Sequence, residues 1–285
     1  MKFQLLLLSL LFTSISANSQ KYKIEKEPDW IKTIGIPDKS EVKKYDVSSG
    51  YYLALADYQV NLETNASYSH NVTNVVSYSG VTKASQLSIS YDTAYQQLKI
   101  HHLYIWRNGE KIDRTSNLSF KTLNNEFNLH NGIYTGLITS YCNLNDIRKD
   151  DLIDFAYTLV GKNPIFKNEK YLFIPLETDN PVDLYSIRIL YSKNKDYEYR
   201  CVGTDSSSLI ASSVVGNYRE LDINIPLLSV ACVILFGEAS SLRRVGSKAL
   251  PLLSVACIVL FGEASSLHRV GSKALPCILK LNMRL

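Results

Sequence analysis

Between Tyr51 and Tyr191 the chain is a series of short apolar runs, many of them alternating with polar residues, and turn residues separate them. Tyr51 to Val60 is apolar-rich and passes into a period of two at Tyr58, Val60 and Leu62. Tyr68, His70 and Val72 keep that period, and Leu87, Ile89 and Tyr91 repeat it against Ser88 and Ser90. This spacing places alternate side chains on opposite faces of a strand. Leu98, Ile100, His102, Tyr104 and Trp106 follow at the same interval, which predicts a single face for all five. Asn108-Gly109 then separates this run from Glu110-Lys111-Ile112. Asn-Gly between two strand-like runs predicts a hairpin, because both turn residues must take positive φ. Ile133 to Tyr141, Leu152 to Val160, Tyr171 to Leu176 and Leu184 to Tyr191 add further strands. Ser79-Gly80 and Asn163-Pro164 read as punctuation. No alternation of strand with helix is visible, so the pattern predicts an all-β chain, an antiparallel β-sandwich occupying residues 51–225.

The two ends have a different character. Residues 1–19 combine Lys2, a short apolar stretch from Leu5 to Phe12, and small residues at Ala17 and Ser19. This is the pattern of a secretory signal peptide cleaved before Gln20. The stretch is shorter than the roughly 20 residues that a bilayer-spanning helix needs, so no transmembrane span is expected after cleavage. Residues 20–50 are charged and broken by Pro28 and Pro37, a leader whose Trp30, Ile31 and Ile34 predict partial packing as a short helix or edge strand. From Pro226 a 25-residue unit is repeated at Pro251, with differences only at Val233/Ile258, Ile234/Val259 and Arg243/His268. Structural repeats diverge outside their packing positions, whereas here exposed-type residues such as Ser240 and Lys248 recur as well. Residues 226–285 are therefore expected to be an irregular or helical tandem-repeat tail, out of frame or disordered. Paired amphipathic hairpins are the structured alternative.

Composition modifies this picture at one point. The chain of 285 residues carries 31 basic and 27 acidic residues, a formal charge of +4, and 19 tyrosines. An excess of positive charge suggests an anionic partner. Seven of the basic residues and only two of the acids lie in residues 226–285, however, and Lys2 lies in the signal. The body is thus slightly acidic, and nucleic acid is excluded as an expected partner.

Candidate chemistry is sparse. The five cysteines, at 142, 201, 232, 257 and 277, form no CxxC pair, so neither zinc nor redox spacing is present. Cys142 and Cys201 are each read as a buried thiol, with a disulfide between them after export as the alternative. His101-His102 is the only histidine pair, and adjacent strand residues reach one ligand only if a bulge intervenes. His70, His130 and His268 are isolated in sequence. Asp146, Asp150, Asp151 and Asp154 cluster, and turn chemistry with a solvated face accounts for them. No catalytic, cofactor-binding or metal-binding residue is assigned, and no cofactor is expected.

Two stretches carry a family resemblance. Ser79 to Asp113 contains Trp106-Arg107-Asn108-Gly109, and Asn145 to Phe166 contains Asp146-Ile147-Arg148-Lys149-Asp150-Asp151, then Phe155-Ala156-Tyr157 and Gly161-Lys162-Asn163-Pro164. In this order they resemble the domain of unknown function 3857 family. Asp150 stands where that family tends to have glycine, a mild departure because Asp tolerates positive φ better than most residues. The resemblance implies an immunoglobulin-like β-sandwich in the periplasm or outside the cell, in exported proteins of Gram-negative bacteria. It also implies a following transglutaminase-like cysteine protease domain, which the residues after Pro226 do not match. The expectation is therefore a truncated, non-catalytic member with a binding or scaffolding role, its partner a peptide, protein or glycan of the envelope. The alternative is the non-catalytic part or remnant of a transglutaminase-like hydrolase whose catalytic domain is lost or encoded downstream. The secreted product should begin at Gln20, which N-terminal sequencing of the exported protein checks; an N-terminus at Met1 contradicts the leader assignment.

Overall fold

The computed structural model describes residues 22–37, 42, 47–124, 136–166, 170–175, 180–195, 197–202, 210–226 and 233–238. The expected signal peptide lies outside the described residues, as does most of the repeat tail. The molecule is all-β, as the alternation predicted. Its centre is one nine-stranded sheet. The chain enters it through β1 (Tyr22–Ile24), and the hairpin β2 (Tyr51–Asn61) with β3 (Ala66–Val75) lies further in. β5 (Gln97–Arg107), β6 (Glu110–Asp113) and β9 (Leu152–Val160) follow, with β11 (Leu184–Ser192), β13 (Ile210–Val215) and β14 (Tyr218–Pro226) completing it. The strand order is β1-β5-β9-β3-β2-β11-β14-β13, and β6 pairs with β5.

Two three-stranded sheets form the second layer. One joins β4 (Gln86–Asp92), β8 (Leu137–Asn143) and β7 (Lys121–Asn124). The other joins β10 (Tyr171–Pro175), β15 (Val233–Glu238) and β12 (Tyr197–Val202). The first packs on β5 and β9 through a core that includes Ile89, Tyr91, Leu103, Ile153 and Phe155. The second packs on β2, β11 and β14 around Val60, Ile187, Ile189, Leu221 and Ile223. Leu159 pairs with Leu98 and Ser67, Ser67 with Val60, and Val60 with Ile189, so both cores use the same face of the large sheet.

Three local features differ from the reading of the sequence. Pairing is mostly antiparallel, but β1 runs parallel to β5 and β2 parallel to β11. Both pairs join segments far apart in the chain, which leaves the length a parallel crossover needs. Ser79-Gly80 does not break the chain but lies inside a short helix, α1 (Tyr78–Ala84). Gly80 is required there because a Cβ would come within 2.0 Å of the Gly50 carbonyl oxygen. Finally, six residues of the first repeat are an ordered strand: β15 is the centre of its sheet, with Ile234 opposite Ile174 on one side and Cys201 on the other.

The two stretches that carry the family resemblance meet at Arg107. The predicted hairpin turn is present, with φ of 52° at Asn108 and 82° at Gly109. It leaves Arg107 at the sheet margin, where Nε and Nη2 each donate to one oxygen of Asp151 at 2.8 Å. The guanidinium also donates to the Asp146 carboxylate at 3.1 Å and its carbonyl at 2.6 Å. Asp146 and Asp150 both take positive φ, at 56° and 70°, which closes the loop around the guanidinium. Asp151 is 1% exposed, so this is a buried two-pronged ion pair and not a solvated face. Removing one partner strands the other charge. Arg107→Ala is expected to cost about 3 kcal/mol, read as a lower urea midpoint, and Arg107→Lys should recover little because an ammonium cannot make the paired contact.

Candidate functional site

The opposite face of the large sheet is polar. A register shift between Ile100 and His102 marks a bulge in β5. Before it, Leu98 and Ile100 face the core; after it, Leu103 and Ile105 do. The five residues expected on one face are therefore split, and His101, His102, Tyr104 and Trp106 share the polar side. A period-two reading cannot see an inserted residue. Here the bulge supplies the condition under which adjacent histidines look the same way.

The leader covers this face as an irregular strap. Its edge strand is β1, at Tyr22–Ile24, whereas Trp30, Ile31 and Ile34, where a short helix or edge strand was expected, lie in irregular chain; beyond β1, Glu25 N–H donates to the Ile100 carbonyl at 2.9 Å. His101 bridges the Glu25 carbonyl (2.9 Å) and the Thr158 hydroxyl (2.7 Å). Tyr68 donates its hydroxyl proton to Glu27 at 2.8 Å. Gln59, fully buried, acts as a side-chain rung. Its Oε1 accepts from Lys32 N–H at 3.0 Å and its Nε2 donates to the Lys32 carbonyl at 2.6 Å. Arg188 donates to the Trp30 carbonyl at 2.6 Å and to Glu220 at 2.9 Å. Lys32 reaches over to Asp222 at 2.7 Å and Glu220 at 3.3 Å. A third apolar cluster, with Val42, Leu55 and Val72 against Ile34 and Val47, seats the strap's later part.

Between strap and sheet lies a cleft of about 160 Å³. His70 on β3 and His102 on β5 flank Ala156 of β9 on either side. Two residues along β9, Asp154 Oδ1 lies 2.8 Å from His70 Nε2 and 2.9 Å from His102 Nε2. Its Oδ2 accepts from Trp106 Nε1 at 3.1 Å. His102 Nδ1 lies 3.4 Å from Glu27, and its ring stacks on Tyr104 with centroids 4.5 Å apart. Lys111 places its ammonium 3.4 Å from the Tyr104 ring centroid, a cation–π contact. Asp57, opposite His70 on β2, is 2% exposed and also lines the cleft. Its Oδ2 accepts from Gln59 at 2.8 Å, while Oδ1 makes no hydrogen bond among the described residues.

These contacts set the charges. Burial disfavours the His102 imidazolium, but hydrogen bonds to Asp154 and Glu27 outweigh it and raise its pKa to about 9. The His102 hydrogen bond holds Glu27 down at about 2 against the cost of burial. Asp154 is also held well below the usual carboxylate range: burial opposes this, and hydrogen bonds from His102 and His70 overcome it. Asp57 goes the other way, pushed up to about 6 mainly by burial. Burial likewise lowers His101.

The residues singled out in the sequence thus separate. Asp146, Asp150 and Asp151 belong to the turn around Arg107, whereas Asp154 joins the histidines. His70, isolated in sequence, is brought to His102 by the pairing of β3 and β5 on either side of β9. Glu27, Asp57 and Trp106 were not anticipated as partners, because only the strap and the strand order bring them together. Cys142 is a buried free thiol in the core on the other face of the sheet. His130, His268, Cys232, Cys257 and Cys277 lie outside the described residues.

The fold and cleft define a β-sandwich domain with a strapped polar face. Residues 63–219, more than half of the chain, match the family described as Domain of Unknown Function with solved-structure structure (DUF3857), and the chain belongs to that family. Among solved structures it is similar to a protein from Parabacteroides distasonis ATCC 8503 provisionally named a protease, at 13% identity and a TM-score of 0.57. The match covers 70% of this chain and 44% of that one. Legionella pneumophila aminopeptidase A in complex with aspartic acid is also similar, at 13% identity and a TM-score of 0.37, over 70% of this chain and 22% of the other. The chain therefore spans less than half the length of these structures. No curated protein matches the chain.

The strap latch is acid-sensitive. Arg188 lowers Glu220 from its ordinary value near 4.5 to about 2 in the folded protein. A depressed carboxylate contributes stability that is complete above its unfolded pKa and is lost as pH falls through the folded one. The urea midpoint should therefore fall between about pH 4.5 and 2, and less steeply in Glu220→Gln. An unchanged slope in that variant counts against the latch.

Proposed function

We propose that this chain is an exported, non-catalytic β-sandwich domain with a binding or scaffolding role in the bacterial envelope, and that the strapped cleft is its ligand-facing surface. The observation that carries this reading is the convergence of aromatic and charged groups in the cleft. Tyr104, Trp106, Lys111 and Glu27 border it together with the His70–Asp154–His102 cluster. Amphipathic aromatic side chains with convergent polar and charged groups suit peptide side chains and sugar rings. At about 160 Å³ the cleft is smaller than a typical small-molecule pocket of roughly 300–1,000 Å³. It suits one side chain or one sugar ring of a longer ligand that continues over the surface. The position of Cys142 supports a binding role over cysteine hydrolysis: the sheet stands between its thiol and His70, His101 and His102, the histidines among the described residues.

The match to 44% of a protein provisionally named a protease favours a second reading, the non-catalytic part of a transglutaminase-like cysteine hydrolase. The nucleotide sequence beyond the Pro226 codon discriminates between the two. A second frame encoding a helix-borne Cys followed by His and Asp favours the second reading.

Calorimetric titration of the full chain with short peptides and with disaccharide fragments of envelope glycan tests the binding role. Saturable binding of one class, weakened at least about tenfold by Tyr104→Ala, supports it. Absence of binding to both classes overturns it, and so does peptide turnover that disappears in Cys142→Ser.

A further inference from the structure

We propose that His70, His102 and Asp154 form a binding site for a divalent transition-metal ion of borderline softness, such as zinc. The site lies in the same cleft as the proposed ligand surface, but metal binding does not depend on that reading. The donor atoms lie within 4.8 Å of one another and come from three adjacent strands, β3, β5 and β9. Ladder hydrogen bonds on both sides of β9 fix that spacing. Both imidazoles present Nε2 to the same point. A tetrahedral ion with bonds of about 2.0–2.2 Å needs donors about 3.3 Å apart. The two nitrogens sit 2.8 and 2.9 Å from Asp154 Oδ1 and within 4.8 Å of each other, so an ion would draw the imidazoles together while the carboxylate withdraws by about half an ångström.

The surroundings match what a ligating set requires. A metal-bound imidazole usually hands its second N–H to a carboxylate, and a ligating carboxylate is itself held by a donor. His102 Nδ1 faces Glu27 at 3.4 Å, and Trp106 Nε1 donates to Asp154 Oδ2, which leaves Oδ1 for the ion. Asp57 provides a second, independent indication. It is 2% exposed, lines the same cleft and has an oxygen with no hydrogen bond among the described residues. Two imidazoles and one carboxylate favour zinc, copper(II) or nickel over calcium and magnesium, which take oxygen ligands. Three protein ligands facing a cleft leave a further position for water or a ligand atom.

The test uses the full chain, stripped with chelator and titrated with zinc, with bound metal measured after dialysis. Stoichiometric binding at micromolar zinc is expected. Glu27→Gln should weaken it by about 10–100-fold, and His70→Gln or Asp154→Asn by more. His101→Gln should leave it unchanged, since His101 is committed to the Glu25 carbonyl and Thr158. Failure of the wild-type chain to bind at that concentration overturns the site, leaving a proton-bridged His–Asp–His cluster. Retention of binding in both His70→Gln and Asp154→Asn also overturns it. If those variants do not fold, the cobalt(II) spectrum of the wild-type chain decides. Ligand-field bands without thiolate charge transfer support the site, and thiolate bands place the metal on cysteine and overturn it.

Discussion

A sheet with one apolar and one polar face can stand alone only if water reaches the polar one. Here the leader lies across much of it and keeps water off, and every group it covers needs a partner. Asp57, Gln59, Arg188 and Glu220 are all under a tenth exposed. An unmatched buried charge costs several kcal/mol, so the strap and the stripe must fit each other. Gln59 meets the strap backbone as another strand would, and Arg188 spends one nitrogen on the Trp30 carbonyl and another on Glu220. The cleft is the part of this arrangement that the strap leaves incompletely filled.

The two layers have separate duties. Two small sheets supply the hydrophobic cores on one face, and they determine which residues of β5 and β9 turn inward. The bulge at His101 then reverses the outer face for the rest of β5. Without that extra residue His102 would pair with Phe155 and point into the core, and the cluster with His70 and Asp154 could not form. The Arg107 clasp plays a different part. It pins the turn before β9 to the end of β5, which keeps the Asp154 strand in register with the His102 strand. At Arg107, Asp146 and Asp151 the family motifs are therefore structural, and these three residues support the cleft without lining it, whereas Trp106 of the same motif does line it.

Much of this architecture was legible in the sequence. Alternation located β2 to β5, β9 and β11, Asn108-Gly109 gave its hairpin, and Asp150 was read as able to take the positive φ that it adopts. β13 escaped notice because it is an exposed edge strand with almost no buried position, so no apolar period betrays it; β14 does carry a period of two, at Leu221, Ile223 and Ile225, and was legible in the sequence. The leader was expected to pack in part, as a short helix or edge strand, but not to cover the sheet as a strap, since its side chains and carbonyls satisfy groups that lie far away in sequence. The cluster was hidden for the same reason: His70, His102 and Asp154 are separated by 32 and 52 residues, and only strand order makes them neighbours. The three-strand placement of β15 within the repeat tail was not legible either, because its register depends on β10 and β12.

Residues 22–34 are an integral cover of the sheet. Amide hydrogen exchange of the full chain tests it most directly. The Glu25 and Lys32 amides donate to Ile100 and Gln59. They should exchange at rates near those of the central strands, as groups that open only with the sheet. Exchange of both amides at unfolded-chain rates, with β5 and β9 still protected, would contradict the account.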